Sequence, residues 1–234
     1  NTFRIEMLKL VKKKNKGHLG GAFSCIDILT YLYFTNFLKY DAKNPDLVDR
    51  DRLLLSKGHS GIALLVVLAE LNFFKKIDLQ QFNDDGSYLT EHPDIRVPGI
   101  EFVSGSLGHG LNLACGISLA GKIDQIKYKT IVILGDGECY EGTIWEAAIF
   151  AAHHKLKDLI AIIDRNKLIS LGNTEDINKL EPLKLKWEAL GWNVFEIDGH
   201  DFKEIDTCIN KKKNNSKPSV IIANTIKGKG VRFM

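Results

Sequence analysis

An acidic residue between two glycines, directly after an apolar β-branched run at residues 130–134, is the strongest chemical signal in the chain. The segment reads Gly135-Asp136-Gly137-Glu138. Glycines at the end of a strand let a phosphate approach the backbone, and the N-terminus of a following helix favours negative charge. A carboxylate beside a phosphate repels it unless a cation lies between them. Asp136 therefore predicts Mg²⁺, with Ca²⁺ or Mn²⁺ as substitutes, bridging to a diphosphate.

A second apolar run ends in polar residues, at Ile163-Asp164-Arg165-Asn166. If the two runs are neighbouring strands, Asn166 lies level with Asp136, and its side-chain oxygen suits a hard cation. The backbone carbonyl of Leu168 is a candidate third ligand. Gly-Asp-Gly alone is a common turn, and a lone asparagine is more often a turn residue. The two together, at the ends of two predicted strands, favour a metal–diphosphate site.

Alternating strand and helix patterns predict the elements that position these residues. Buried parallel strands are predicted at residues 130–134, 159–163, 194–197 and 220–223, with a short apolar run at 52–56. Helices are predicted at residues 2–14, 62–72, 110–122, 141–154, 182–190 and 202–213, with Ser24 as the N-cap before the apolar run 28–37. This alternation predicts an α/β fold, with a doubly wound, mostly parallel sheet and helices on both faces.

Composition and charge exclude several classes of protein. The 234 residues carry 32 basic and 29 acidic side chains, so bulk charge does not indicate a nucleic-acid partner. The longest apolar stretch, residues 61–71, is too short to span a bilayer, and no membrane association is expected. The four cysteines form no metal-binding or disulfide pattern, which favours the reducing cytoplasm. Residues 84–105 form a long irregular loop, a feature that is usually functional or disordered.

Six motifs, in one order and spanning nearly the whole chain, resemble the transketolase family of thiamin diphosphate enzymes. Any one motif is weak, but six in the family's order are specific. They are Lys16-Gly17-His18-Leu19-Gly20-Gly21, Leu55-Ser56-Lys57-Gly58-His59, His92-Pro93, Gly105-Ser106-Leu107-Gly108-His109-Gly110, the segment from Gly135 to Ala147, and Thr225-Ile226-Lys227-Gly228-Lys229-Gly230.

The resemblance implies a role for each matching residue. The metal ligands are Asp136, Asn166 and the Leu168 carbonyl. The residues implied to contact the cofactor are Gly21, His59, Gly105, Ser106, Leu107, Asp136, Gly137, Glu138, Asn166 and Lys227. The implied catalytic residues are the histidines His18, His59 and His92, around the reacting carbon, and Glu141, at a subunit interface that links paired active sites. Independently, histidines suit a reaction that develops charge on oxygens near neutral pH.

The resemblance also implies an incomplete enzyme. Residues 1–234 match a single diphosphate-binding domain, and the family's pyrimidine-binding and C-terminal domains are absent. We therefore expect the chain to be inactive alone. It would act on sugar phosphates with a separate C-terminal transketolase subunit that carries the pyrimidine-binding domain, as a dimer of heterodimers. The reaction would move a two-carbon ketol unit from a ketose phosphate to an aldose phosphate.

Three alternatives remain open on the sequence. The chain could be part of another thiamin diphosphate enzyme, either deoxyxylulose-phosphate synthase-like or like the E1 component of 2-oxo acid dehydrogenases. The Gly105-Ser106-Leu107-Gly108 and Lys227-Gly228-Lys229-Gly230 stretches favour transketolase over both. A third alternative is a non-catalytic regulatory paralogue. The presence of all the predicted metal and diphosphate residues argues against it.

Overall fold

The computed structural model describes residues 1–211 and 216–234 and forms a sheet flanked by helices. Its strands are β1 (Arg52–Leu55), β2 (Thr130–Gly135), β3 (Leu159–Arg165), β4 (Asn193–Asp198) and β5 (Ser219–Asn224). Its helices are α1 (Thr2–Lys14), α2 (Leu19–Phe34), α3 (Gly61–Glu70), α4 (Gly110–Ile123), α5 (Gly142–His153), α6 (Thr174–Ile177), α7 (Leu183–Ala189) and α8 (Phe202–Asn210).

All four strand pairings within the described residues are parallel, in the order β1-β2-β3-β5-β4. The central strands are short runs of apolar, largely β-branched residues, buried on both faces, as parallel strands between two helical layers must be. Parallel strands all end at one edge, so the residues that follow β1, β2, β3 and β5 meet there. The predicted α/β fold with a parallel sheet is confirmed.

Side chains of each strand alternate between two apolar layers. In β2, Ile131 and Ile133 pack into the layer that contains helices α1, α2, α3 and α8. Val132 and Leu134 pack into the opposite layer, with α4, α5 and α7. Because side chains alternate with a period of two, the sequence of β2 fixes which layer each of its side chains faces, up to the end of the strand that Asp136 follows.

The structure corrects two details of the prediction. Ser24 is not an N-cap, because α2 begins five residues earlier, at Leu19, and Ser24 lies buried inside it. Sheet pairing sets Gly135 opposite Asp164. By continuation, Arg165 is level with Asp136, and Asn166 lies one residue further along.

Two other features bear on the sequence predictions. Helix α8 is described as far as Asn210, and residues 212 and 213 of its predicted end lie outside the described residues. Residues 82–109 contain neither helix nor strand, in agreement with the predicted irregular loop. Within residues 1–211 and 216–234, no helix is long and apolar enough to cross a membrane.

Candidate active site

A cavity of about 790 Å³ opens at the carboxyl edge of the sheet. Its size is that of a small-molecule or cofactor pocket. Its lining includes ten residues singled out from the sequence: His18, Gly21, His59, Leu107, Asp136, Gly137, Glu138, Asn166, Leu168 and Lys227. Four others do not line it: His92, Gly105, Ser106 and Glu141. Segments far apart in sequence thus converge on one cavity, which the order of motifs alone could not establish.

Asp136 directly follows β2, and three hydrogen-bond donors hold its buried carboxylate in place. Its Oδ1 accepts from the Gly137 N–H at 2.8 Å, and its Oδ2 accepts from the Lys167 N–H at 2.6 Å and from Arg165 at 3.2 Å. Burial raises the pKa of this carboxyl, and the two backbone donors oppose the rise. Burial makes the charged form of this carboxylate unfavourable, and a bound cation would offset that cost. Asp136 is therefore suited to hold a metal ion.

The other two predicted ligands stand close together in the loop after β3. The Asn166 Oδ1 accepts from the Leu168 N–H at 3.1 Å. The Leu168 carbonyl accepts from the Lys227 ammonium at 3.2 Å, so a positive charge is already bound at this oxygen. One carboxylate, one amide oxygen and one carbonyl form a hard, oxygen-only donor set that fits Mg²⁺. Among the described residues there is no metal-binding group of three or more His, Cys, Asp and Glu side chains.

A buried ion pair lies beneath the predicted metal ligands, and the sequence analysis missed it. Lys57 and Asp164 are in contact, and their side chains are only 1% and 0% exposed. Lys57 also donates to the Gly21 carbonyl at 3.0 Å, while Ser24 and Thr225 donate to Asp164. Burial lowers the pKa of Lys57, but the charge of Asp164 and its other partners outweighs burial, and the net shift is upward. The pair ties the start of α2 to the ends of β1, β3 and β5.

Arg165 extends this buried charge toward the loop that carries α6. Its side chain is 1% exposed and donates to Asp136, to Glu175 at 2.7 Å and to Glu181 at 3.0 Å. Arg165 therefore helps to hold the Asp136 carboxylate in place through its contact with Oδ2. We call Lys57, Asp136, Asp164 and Arg165 the buried floor of the cavity. Only the side-chain contacts reveal it, because its ion pairs join residues up to 107 positions apart.

Lys227 reaches the cavity from the loop after β5. That loop is fastened to α2, because the Gly228 N–H donates to the Gly20 carbonyl at 3.0 Å. A Cβ on Gly20 would lie 3.1 Å from the Lys227 side chain, so glycine leaves room for the lysine to pass. Burial and then the charge of Lys57 lower the pKa of Lys227. A cationic side chain of this reach suits an anionic ligand such as a diphosphate.

His18 and His59 line one side of the cavity, and the ring of His92 lies near Gly58, next to His59 in the chain. We call these three predicted catalytic histidines the histidine mouth. The rings of His18 and His59 stand edge to face, with centroids 6.2 Å apart. Burial and then the charge of Lys57 lower the pKa of His59 to about 3, so this ring is neutral near pH 7. The ring of His92 comes close to Gly58 and Gly105 behind the cavity wall.

Two glutamates of the same motif have opposite surroundings. Glu138 is buried and accepts from the Gly108 N–H at 2.9 Å, from the Gly135 N–H at 3.0 Å and from Ser56. Its carboxylate thereby fastens the Gly-rich segment 105–108 to the end of β2. Glu141 is exposed at the start of α5, where a subunit interface was predicted. The roles of all these residues toward cofactor and substrate stay predictions.

Comparison with known proteins identifies the family. The family model described as "Transketolase, thiamine diphosphate binding domain" matches residues 1–233. The chain is 42% identical, over 232 residues, to one of the apulose-4-phosphate transketolase subunits of Phocaeicola vulgatus, covering 99% of this chain and 82% of that protein. It is 45% identical, over 235 residues, to the 6-deoxy-6-sulfo-D-fructose transketolase subunit SqwG of a Clostridium species, covering 100% and 85%.

Solved structures agree with the sequence relatives. A transketolase from Campylobacter jejuni superposes with a TM-score of 0.94 at 35% identity. The match covers 100% of this chain and 38% of that enzyme, so the chain spans well under half the length of this transketolase. The fold, the site and these relatives together show that the chain belongs to the transketolase family, as its thiamine diphosphate binding domain.

Proposed function

We propose that this chain binds the diphosphate of thiamin diphosphate through Mg²⁺ and takes part in ketol transfer together with a separate subunit. Residues 1–234 form one diphosphate-binding domain in this proposal. The observation that carries it is the buried Asp136 carboxylate beside the oxygen donors of Asn166 and Leu168, at the edge of a cavity that Lys227 also lines. The reaction would move a two-carbon ketol unit from a ketose phosphate to an aldose phosphate.

Each part of the cavity has a task in this reaction. Asp136, Asn166 and the Leu168 carbonyl would hold Mg²⁺, and Lys227 would neutralise part of the diphosphate charge. When bound, thiamin diphosphate supplies a carbon nucleophile that allows bonds next to a carbonyl to form and break. Gly137 and Leu107 line the cavity and would bring backbone close to the diphosphate, whereas Gly105 and Ser106 lie outside the lining. The buried floor keeps the metal ligands in place without reorganisation.

The histidine mouth would act on the sugar. A neutral His59 can donate or accept a hydrogen bond at a substrate oxygen, and it adds no positive charge beside Lys57. His18 lines the cavity and is open to solvent, where a sugar would enter. A hydrogen bond donated by the neutral His59 ring would stabilise negative charge as it develops on a substrate oxygen.

An exposed apolar face supports the need for a partner subunit. Leu113 of α4 and Ile149 and Phe150 of α5 are 45%, 57% and 38% exposed, and α4 packs on α5. Glu141 is exposed at the start of the same helix. Exposed apolar side chains grouped on adjoining helices are typical of protein–protein contacts. Two relatives are named as subunits of transketolases, which supports an assembly with a second kind of chain, in our proposal a dimer of heterodimers.

We also place the protein in the cytoplasm. All four cysteines are buried, at Cys25, Cys115, Cys139 and Cys208. Burial raises the pKa of the Cys25 thiol to about 11 and of the Cys115 thiol to about 12, so these groups stay protonated and unreactive. Thiols of this kind fit a reducing compartment.

The proposal is tested on the protein purified from its source cells in Mg²⁺. Native mass spectrometry should show a second chain and bound thiamin diphosphate, and the complex should transfer ketol units and not decarboxylate pyruvate. Asp136→Ala should abolish Mg²⁺-dependent cofactor binding. Asp176→Ala, the same change at an exposed carboxylate in the same region, should leave binding intact. A homo-oligomer that lacks the cofactor would contradict the proposal and favour a regulatory role.

A further inference from the structure

His18 has a partner on its outer side that lies outside the cavity. It is the residue before α2, and its side chain is 64% exposed. Its Nδ1 is in hydrogen-bond contact with the Glu91 carboxylate. His18 lines the cavity and Glu91 does not. The ring therefore borders the cavity while its Nδ1 contacts a carboxylate outside the lining, and Nε2 is the ring nitrogen that Glu91 does not engage.

Glu91 is held firmly, although it belongs to a loop without helix or strand. Its N–H donates to the Asn83 side chain at 2.8 Å. Its carbonyl oxygen packs on the first residue of α3, where a Cβ on Gly61 would lie 2.2 Å from that oxygen. Its side chain is only 19% exposed, far less than that of His18. Glu91 can therefore set the orientation of the more exposed ring.

The contact fixes the position of a proton. An ionised carboxylate only accepts hydrogen bonds, so the Nδ1 of His18 must carry the hydrogen. In a neutral ring, Nε2 is then the unprotonated nitrogen. Among the hydrogen bonds of the described residues, none involves the His18 Nε2. This nitrogen is left as an acceptor on a ring that lines the cavity and whose centroid lies 6.2 Å from that of His59.

We propose that Glu91 is a positioning residue that holds His18 in the Nδ1–H form, so that Nε2 accepts a hydrogen bond from a hydroxyl of the sugar substrate. The identification of the ligand as a sugar rests on the proposed function. A donor at this place would recognise a carbonyl or phosphate oxygen instead. Glu91 thus selects for a hydroxyl-bearing carbon chain at the outer end of the cavity.

The test reads the tautomer of His18 directly in the full chain. Long-range ¹H–¹⁵N spectra of the ¹⁵N-labelled protein above pH 7 distinguish protonated from unprotonated ring nitrogens. His200 is an internal reference, because its Nδ1 faces the Asp27 carboxylate at 2.7 Å and its Nε2 accepts from the Ile226 N–H at 2.9 Å. The variant is Glu91→Ala. The control is Asp94→Asn, which removes a charge from the same loop, at a carboxylate that pairs with Arg96.

The wild-type chain and Asp94→Asn should show His18 predominantly in the Nδ1–H form. Glu91→Ala should shift the ratio of the two forms on the order of fivefold toward Nε2–H, the loss expected for one partly exposed hydrogen bond. His200 should not change. A wild-type His18 predominantly in the Nε2–H form, or a ratio unaffected by Glu91→Ala, would overturn the proposal. Failure of the wild type to bind thiamin diphosphate in Mg²⁺ would instead count against the proposed function, because Glu91 does not line the cavity.

Discussion

The buried floor and the histidine mouth lie on the same cavity, yet their polar groups are held in opposite ways. In the floor, Lys57, Asp164 and Arg165 have side chains that are 1% exposed or less, and each contacts a group of opposite charge. In the mouth, His18 is 64% exposed, and the loop that contributes His92 has neither helix nor strand. The floor is complete within this chain, whereas the mouth still faces solvent.

This difference indicates a division of labour. A metal–diphosphate group needs charges held in fixed positions, and the floor holds its charges as buried pairs within one folded unit. The sugar and the reactive part of the cofactor need a closed, dry surface. The mouth is open to solvent, and α4 and α5 carry exposed apolar side chains; in our proposal a second chain covers both. Substitutions confined to one region at a time separate the two roles.

The largest effect is expected from breaking the ion pair of the floor. Lys57→Met leaves Asp164 buried without its cation, and the free energy of unfolding should fall by about 3–5 kcal/mol. Chemical denaturation of the single chain measures this change. The control is Lys39→Met, which breaks the exposed Lys39–Asp49 pair and should leave the midpoint unchanged. Equal effects for the two substitutions would show that the floor is no more critical than a surface pair.

A smaller effect, dependent on pH, is expected at the mouth. The pKa of His59 is about 3 in the folded chain, against an ordinary value of 6.5. Below pH 6.5 the unfolded chain therefore takes up a proton that the folded chain does not, and stability falls as the pH falls toward 3. From pH 6.5 to 5 this group should cost about 2 kcal/mol. Protonation of Asp and Glu residues also destabilises the chain at low pH. The contribution of His59 is therefore measured as the difference in free energy of unfolding between the wild type and a variant that lacks His59.

His59→Gln removes that proton uptake while keeping a polar side chain. Its free energy of unfolding, measured by denaturation at several pH values, should fall less steeply than that of the wild type between pH 6.5 and 5. Parallel curves for the two proteins would mean that His59 titrates alike in both states and is not held neutral by burial beside Lys57.

The smallest effect on the single chain is expected at Glu141. Its side chain is exposed, and no hydrogen bond or ion pair of that side chain is among those of the described residues. Glu141→Gln should therefore leave the denaturation midpoint of the isolated chain unchanged. In the complex with its partner it should weaken association or ketol transfer, measured by native mass spectrometry and by turnover. A destabilised single chain would place Glu141 inside this fold instead of at an interface.

The sheet could be predicted well from the sequence and the floor poorly, for physical reasons. Buried parallel strands need unbroken apolar β-branched runs, so residues 130–134 and 159–163 stood out. The start of α2 was misplaced because Gly20 and Gly21 look like a helix break. They lie inside the helix, where glycine makes room for Lys227 and His59. A local capping pattern at Ser24 could not reveal that requirement.

The site shows the same limit. Asp136, Asn166 and Leu168 follow two neighbouring strands, and that spacing was enough to predict them as metal ligands; their metal binding stays a prediction. Lys57 and Asp164 are 107 positions apart, and His18 and Glu91 are 73 apart. Contacts over such distances depend on how the layers pack, which no local pattern encodes. The family resemblance named Lys57 only as part of a motif, and it did not include Glu91.

Calorimetric titration of the single chain in Mg²⁺ tests the central claim most directly, with thiamin diphosphate and inorganic pyrophosphate as separate ligands. If this chain provides only the metal–diphosphate end, both should bind, with dissociation constants within about tenfold of each other. Both should lose binding in Asp136→Ala. The account would be contradicted if neither bound. It would also be contradicted if thiamin diphosphate bound far more tightly than pyrophosphate, since this chain would then hold the organic part of the cofactor without a partner.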